Sequence, residues 1–179
     1  MVGQQLADQN LDLNPRADDA AAQAAQFKLD DFLPYRINLL AMLVSQALSR
    51  IYTERYNIGV AEWRVLVNLG QHGVMTGKAI STASQMHKTK VSRAVAFLER
   101  RKLVSRRANR ADMRETFLSL TPAGRKIYDD LVPEAMDFAR RLLDVVDPAD
   151  RAALDRALTQ LTVRSAELVA ELNKTRRRG

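Results

Sequence analysis

Between Arg101 and Pro122 the apolar period of this chain changes from that of a helix to that of a strand, and then changes back. Leu103-Val104-Ser105-Arg106 alternates, Phe117-Leu118-Ser119-Leu120 alternates less cleanly, and Asn109-Arg110-Ala111-Asp112-Met113-Arg114 between them is polar and charged. Two short strands around such a loop predict a hairpin. Elsewhere the apolar residues recur with helical spacing. The expected fold class is therefore mainly α with a small β element.

A first helix is expected from about Phe32 to Tyr56. Leu33, Ile37, Leu40, Val44, Ala47 and Ile51 recur at intervals of 4, 3, 4, 3 and 4, and Leu39, Met42 and Leu43 widen the stripe. That width predicts burial on more than one side. Asn57-Ile58-Gly59 should end it. A second helix, about Ala61 to His72, turns Trp63, Leu66, Val67 and Leu69 inward and closes at Gly73. Thr76 is a cap for a short third helix. The polar turn Ser84-Gln85-Met86 leads into a fourth, about Lys88 to Arg101. A hairpin directly after a helix-turn-helix makes a wing.

After the hairpin, Thr121 as cap and Pro122 in the first turn start a fifth helix. Its stripe is Ile127, Leu131, Ala135, Phe138, Leu142 and Val145, with Pro133 inside it as an expected kink. Asp147-Pro148-Ala149-Asp150 opens a sixth helix, on which Leu154, Leu158, Leu161, Leu168 and Leu172 keep one rhythm around Ser165. Three long amphipathic helices exceed what a small winged domain needs for its own core. A single intrachain bundle is one reading, and faces shared with a second copy is the sharper one. No internal repeat is apparent.

The expected organisation is an acidic flexible arm over 1–31, a dimerisation or pocket helix over 32–60, and a winged helix-turn-helix domain over 61–121. Dimerisation helices follow over 122–175, and a basic tail over 176–179. The arm carries six Asp against Arg16 and Lys28, and has few large apolar side chains to offset the entropy of ordering.

The chain has 179 residues and a net charge of +7. A basic balance points to polyanions, nucleic acid before an anionic membrane surface. The charge is not spread evenly. From Gln85 to Tyr128 twelve basic residues face three acidic ones, a net of +9 that exceeds the whole chain. There are no cysteines, which removes disulfides, thiolate zinc sites and thiol redox switches. No apolar run reaches the roughly 18 residues of a membrane span, and no signal peptide is visible, so a cytoplasmic protein without a membrane partner is expected.

The fourth helix separates into two faces. Val91, Ala94, Val95 and Leu98 form a buried stripe, while Lys88, Thr89, Lys90, Ser92 and Arg93 lie mostly elsewhere in its first turns. A major groove admits one helix, whose N-terminal residues reach base edges. Short hydroxyls and long cations suit bases and phosphates, and the helix N-terminus adds backbone donors. An ordinary solvated face is the competing reading, and the position between a turn and a wing counts against it.

Asp112-Met113-Arg114-Glu115-Thr116-Phe117-Leu118-Ser119-Leu120-Thr121-Pro122-Ala123-Gly124 resembles the wing of the MarR family of winged helix-turn-helix transcription regulators. Lys88 to Val95 with Leu98-Glu99-Arg100 is similar to that family's recognition helix, and Glu62-Trp63-Arg64-Val65-Leu66 to its second helix. The resemblance covers about residues 32–172. It implies a homodimer on double-stranded DNA, with Arg114 entering the minor groove and Asp112 bracing it. Arg106, Arg107 and Arg110 join them on the wing, the first two as phosphate contacts. Two positions depart from the pattern. His87 stands where the family often has Asp or Ser as the helix cap, and Lys102 where it often has Gly.

The resemblance further implies a small-molecule effector, often aromatic or anionic, that releases the DNA. The matching pocket residues are Arg36, Met42, Trp63, His72 and Phe138, for each of which a core or plain surface role competes. Pro34-Tyr35-Arg36-Ile37-Asn38 is similar to members that control breakdown of aromatic acids, so an aromatic acid or its CoA thioester is the expected effector class. An enzyme is the first rival. Two histidines, no Ser-His-Asp order, no metal cluster and no phosphate-cradling Gly loop leave it without catalytic or metal residues, and no cofactor is expected. A ligand-independent DNA-binding module, or a protein-interaction winged helix, is the second.

Overall fold

The computed structural model describes residues 27–108 and 115–176. A 3-10 turn at Leu29–Asp31 precedes α1 (Leu33–Tyr56), α2 (Val60–His72), β1 (Met75–Thr76), α3 (Gly77–Ser84) and α4 (Lys88–Arg100). Then come β2 (Val104–Ala108), β3 (Thr116–Leu120), α5 (Pro122–Leu143) and α6 (Pro148–Arg176). The fold is mainly helical with a small antiparallel sheet, as the period change requires. Two compact units divide within α1, between Ala47 and Leu48.

In the first unit Phe27 packs on Phe32, ring centroids 5.2 Å apart. Leu33, Ile37, Leu39, Leu40, Met42 and Leu43 are exposed, and Tyr52, in the second unit, is the only fully buried residue of α1. The wide stripe of this helix therefore does not bury itself within one chain, against the expectation from its spacing.

The second unit holds the core. Tyr52 stacks on Trp63, centroids 5.3 Å apart. Leu66, Leu69, Ile80, Val95, Leu98, Leu118 and Leu131 complete a centre drawn from α2, α3, α4, β3 and α5. The strands run in the order β1-β3-β2. β3 pairs with β2 from Val104↔Leu120 to Ala108↔Thr116, and with β1 through Met75↔Leu118 and Thr76↔Phe117. β1 was not expected, because two residues show no alternation that a periodicity can register.

The helix ends follow local chemistry. Thr76 and Thr121 cap α3 and α5, each hydroxyl accepting from the amide three residues on, 3.1 Å away in both cases. α4 closes with Lys102 at φ 58. The Leu103 amide donates to the Leu98 carbonyl over 2.9 Å and the Lys102 amide to Glu99 over 2.8 Å. That paired geometry normally uses glycine in the left-handed position, and here a lysine adopts it. α5 runs continuously through Pro133. α6 continues to Arg176, so the first residue of the expected basic tail is helical. Among the described residues no helix is long and apolar enough to cross a membrane.

Candidate nucleic-acid interface

The turn between α3 and α4 is fixed by its own polar groups. Gln85 sits at φ 54 and ends α3. The Ser81 hydroxyl donates to the Met86 carbonyl over 2.6 Å, and the Met86 amide returns to the Ser81 carbonyl over 3.2 Å. Met86 itself is buried and anchors the turn to the core. His87 then caps α4, its Nδ1 accepting from the Thr89 amide at 3.3 Å. The departure at His87 thus keeps the cap, because a neutral imidazole nitrogen accepts as a carboxylate or hydroxyl oxygen does.

This cap and turn present α4 with one face in and one face out. Val91, Ala94, Val95 and Leu98 are at most 2% exposed. Lys88, Thr89, Lys90, Ser92 and Arg93 are all exposed. Thr89, Arg93 and Arg100 stand at i, i+4 and i+11, so a 3.6-residue period places them on one outer stripe, with Lys88 and Lys90 on its flanks. Arg100 was absent from the sequence-predicted contacts, although the same periodicity extends the stripe to it.

On the wing the structure separates the two arginines of β2. Strand alternation puts Arg106 on the face of buried Val104, and Arg107 on the other with Ser105. Arg106 meets Glu99 of α4 in a fork, Nε to Oε1 at 2.9 Å and Nη2 to Oε2 at 2.8 Å. The hydrogen bonds from Arg106 hold the Glu99 carboxyl below the usual carboxylate range. Arg106, expected as a phosphate contact, also joins an intrachain fork to α4. Arg107 is exposed. Arg110, Asp112 and Arg114 lie outside the described residues.

A cavity of about 530 Å³ opens between α3, α4 and the sheet, lined among others by Lys78, Ser81, Thr82, Lys88, Ser92 and Arg106. Lys78 had no sequence signal, since α3 is too short to show a stripe. The residues predicted for an effector pocket fare differently. Trp63 is 9% exposed and stacked in the core, so its ring is a packing element and not an open wall. His72, the last residue of α2, is exposed and Phe138 on α5 is half-buried. Within the first unit Met42 is exposed, and Arg36 lines a cavity of about 370 Å³ with Asp30, Tyr35, Leu39, Leu40 and Leu43. Among the described residues no group of three or more His, Cys, Asp or Glu is placed to hold a metal ion.

The family model of the MarR family matches residues 58–116, which run from just before α2 to the first residue of β3. No curated protein sequence matches the chain. Solved structures do. A MarR/EmrR family transcriptional regulator from Acinetobacter sp. ADP1 is 26% identical, with a TM-score of 0.71 over 79% of this chain and 99% of that one. BpsR of Bordetella bronchiseptica, whose DNA binding is regulated by 6-hydroxynicotinic acid, is 20% identical with a TM-score of 0.69, covering 76% and 96%. MepR of S. aureus, solved as a DNA complex, is 21% identical with a TM-score of 0.68, covering 74% and 98%. The last two share the fold; the first shares fold and sequence. With its turn-led helix, its sheet and the family match over residues 58–116, this chain is similar in fold and in its helix-turn-helix segment to the MarR family of transcription regulators.

Proposed function

We propose that this chain is a cytoplasmic DNA-binding repressor. It acts as a homodimer on a pseudo-palindrome with half-sites about 10 bp apart, and a small aromatic acid or its CoA thioester releases it. The observation that carries the DNA reading is α4. Its apolar face is fully buried while Lys88, Thr89, Lys90, Ser92, Arg93 and Arg100 all face solvent. The first turns enter the major groove, with Arg93 and Lys90 addressing guanine acceptors or phosphates. Arg107 takes a phosphate, while Arg106 holds the wing strand to α4. The sequence resemblance adds Arg114 as the minor-groove contact, Asp112 as its brace and Arg110 as a further basic group.

Pairing of two copies is supported by the exposed apolar rows of α1 and α6. The effector class is supported by the arginine-bearing apolar cavity at Arg36 and by the aromatic acid that regulates the structurally similar BpsR. Arg36, Met42, His72 and Phe138 keep the exposure a ligand contact needs. A ligand can act only by preferring one arrangement of the two recognition helices over another.

The test is selection of a duplex from a randomised pool by the purified full-length chain. Titrations follow between about 50 and 200 mM salt, where six to ten phosphate contacts would cost 10³–10⁵ in affinity. A panel of aromatic acids and their CoA thioesters is then added to the complex. No duplex binding at low salt, or binding indifferent to salt, sinks the DNA reading. Binding that no member of the panel weakens sinks the effector class.

A further inference from the structure

One side chain fastens the C-terminal end of α4 to the end of α1. Arg101, which follows the last residue of α4, directs Nη1 at the last carbonyl of α1 and the one after it, donating to the Tyr56 oxygen over 2.6 Å and to the Asn57 oxygen over 3.2 Å. Carbonyls at a helix C-terminus lack intrahelical donors and form the negative end of the helix dipole, so a guanidinium there meets open acceptors in a favourable field. Asn57 stands at φ 48, which ends α1 at this point. The Arg101 guanidinium also lies over the Phe97 ring, 5.6 Å from its centroid, so it is held from its own helix as well.

The same end of α1 is tied to α5. The Tyr56 hydroxyl donates to Asp130 Oδ2 over 2.9 Å, and Arg55 pairs with Glu134. Tyr56 and its neighbours thus form a junction at which α1, α4 and α5 meet through named polar contacts. α4 is about 20 Å long. A rotation about its held end moves the opposite end most, and that end carries Lys88, Thr89, Lys90, Ser92 and Arg93.

We infer that Arg101 is a positioning residue that makes α4 follow the Tyr56–Asp130 junction, so that displacement of α1 or α5 reaches the groove-facing turns of α4. This rests on the DNA reading above and deepens it. Arg101 is exposed, which leaves one competing role, a phosphate contact of its own. The two roles differ in what they do to salt dependence and to discrimination. A phosphate contact serves every sequence alike and carries one counterion's worth of salt slope. A positioning residue matters most where side chains must register with base edges.

The test compares the full-length chain with Arg101→Ala, Arg101→Lys, Tyr56→Phe and the Arg101→Ala/Tyr56→Phe double variant. Each is measured on the duplex selected by the wild type and on a scrambled duplex. Arg101→Ala should weaken the selected duplex about tenfold and the scrambled one less than about twofold, with unchanged salt slopes. Arg101→Lys should recover most of the loss, since an ammonium can donate to the same carbonyls. The double variant should lose no more than the worse single one, because both cut the same junction. Equal losses on both duplexes with a slope shallower by about one identify a phosphate contact and overturn the inference. Unchanged affinity for the selected duplex overturns it too, as do single losses that multiply in the double variant. If no duplex is selected, the DNA reading alone has failed. The coupling is then judged by amide exchange, which Tyr56→Phe should speed in α4 of the wild type and leave unchanged in Arg101→Ala. Equal rates in α4 with and without Tyr56→Phe overturn it.

Discussion

Gly124 lies so close to Leu103 that a Cβ on it would stand 2.0 Å from the Leu103 carbonyl oxygen. The same oxygen accepts the Thr121 amide at 3.0 Å. Both neighbours are backbone, so neither can swing aside. The contact seats the first turn of α5 against the chain entering β2.

Gly124→Ala should therefore destabilise the fold by about 3 kcal/mol or more, at the upper end of what overpacking costs. The urea midpoint of the full-length chain measures it. A midpoint within experimental scatter of the wild type would show that α5 shifts freely, which the hydrogen bonding at Leu103 argues against.

Lys102→Gly should have the opposite sign. A side chain in the left-handed region costs about 1–2 kcal/mol. Glycine returns some of that through its more flexible unfolded chain, about 0.4–1 kcal/mol. Strain relief is the larger quantity, so a net gain of about 0.5–1 kcal/mol is expected. A lower midpoint in Lys102→Gly would mean that the lysine side chain contributes more than its strain costs.

Those two positions illustrate what the sequence exposes and what it hides. The caps at Thr76 and Thr121 and the faces of α4 follow from residue type and spacing alone, and the structure places them where the pattern predicts. The Gly124 contact and the Glu99–Arg106 fork do not, because they join residues whose nearness is set by how α4, the sheet and α5 fold back on one another. Arg106 and Arg107 are adjacent identical letters, and only strand register tells which one faces α4. Residue type makes Trp63 a pocket candidate with a competing core role, and its stacking on Tyr52 is a contact that spacing alone does not reveal.

Glu99→Gln should lower stability at neutral pH by about 0.5–1 kcal/mol, the modest range of a pair with partly exposed members. The hydrogen bonds from Arg106 lower the folded carboxyl below its ordinary 4.5. The pair's contribution is therefore complete above that ordinary value and is lost as pH falls through the lowered one. Urea midpoints of wild type and variant should differ at about pH 7 and converge as the pH falls below the lowered folded value. A gap that persists in acid would show that something other than the charged fork is being removed.

Arg93→Ala should cost about 1–3 kcal/mol on the selected duplex, the discrimination of one good base contact. On scrambled DNA the loss should be smaller. Matching losses on the two duplexes would make Arg93 a backbone contact, leaving base readout to its neighbours.

The last prediction concerns α6. Leu158, Leu161, Leu168 and Leu172 are 40–66% exposed, and none of the helix is buried within one chain. Helical spacing puts them, with Ser165, on one stripe. Arg164 pairs with Glu167 and Glu171 on a neighbouring face. A row of leucines beside a charged face is the arrangement of a helix that buries one side against a partner. Burying one leucine contributes about 1.5–3 kcal/mol, and a symmetric pair contains it twice. Leu161→Asp should therefore raise the dimer dissociation constant by at least about 10²–10⁴. Val163 serves as the control. It is 56% exposed on the same helix, but lies nearly opposite the leucine stripe, so Val163→Asp should leave association unchanged. Sedimentation equilibrium distinguishes the two variants. A wild type that is monomeric, or equal weakening by Leu161→Asp and Val163→Asp, would remove α6 from the interface.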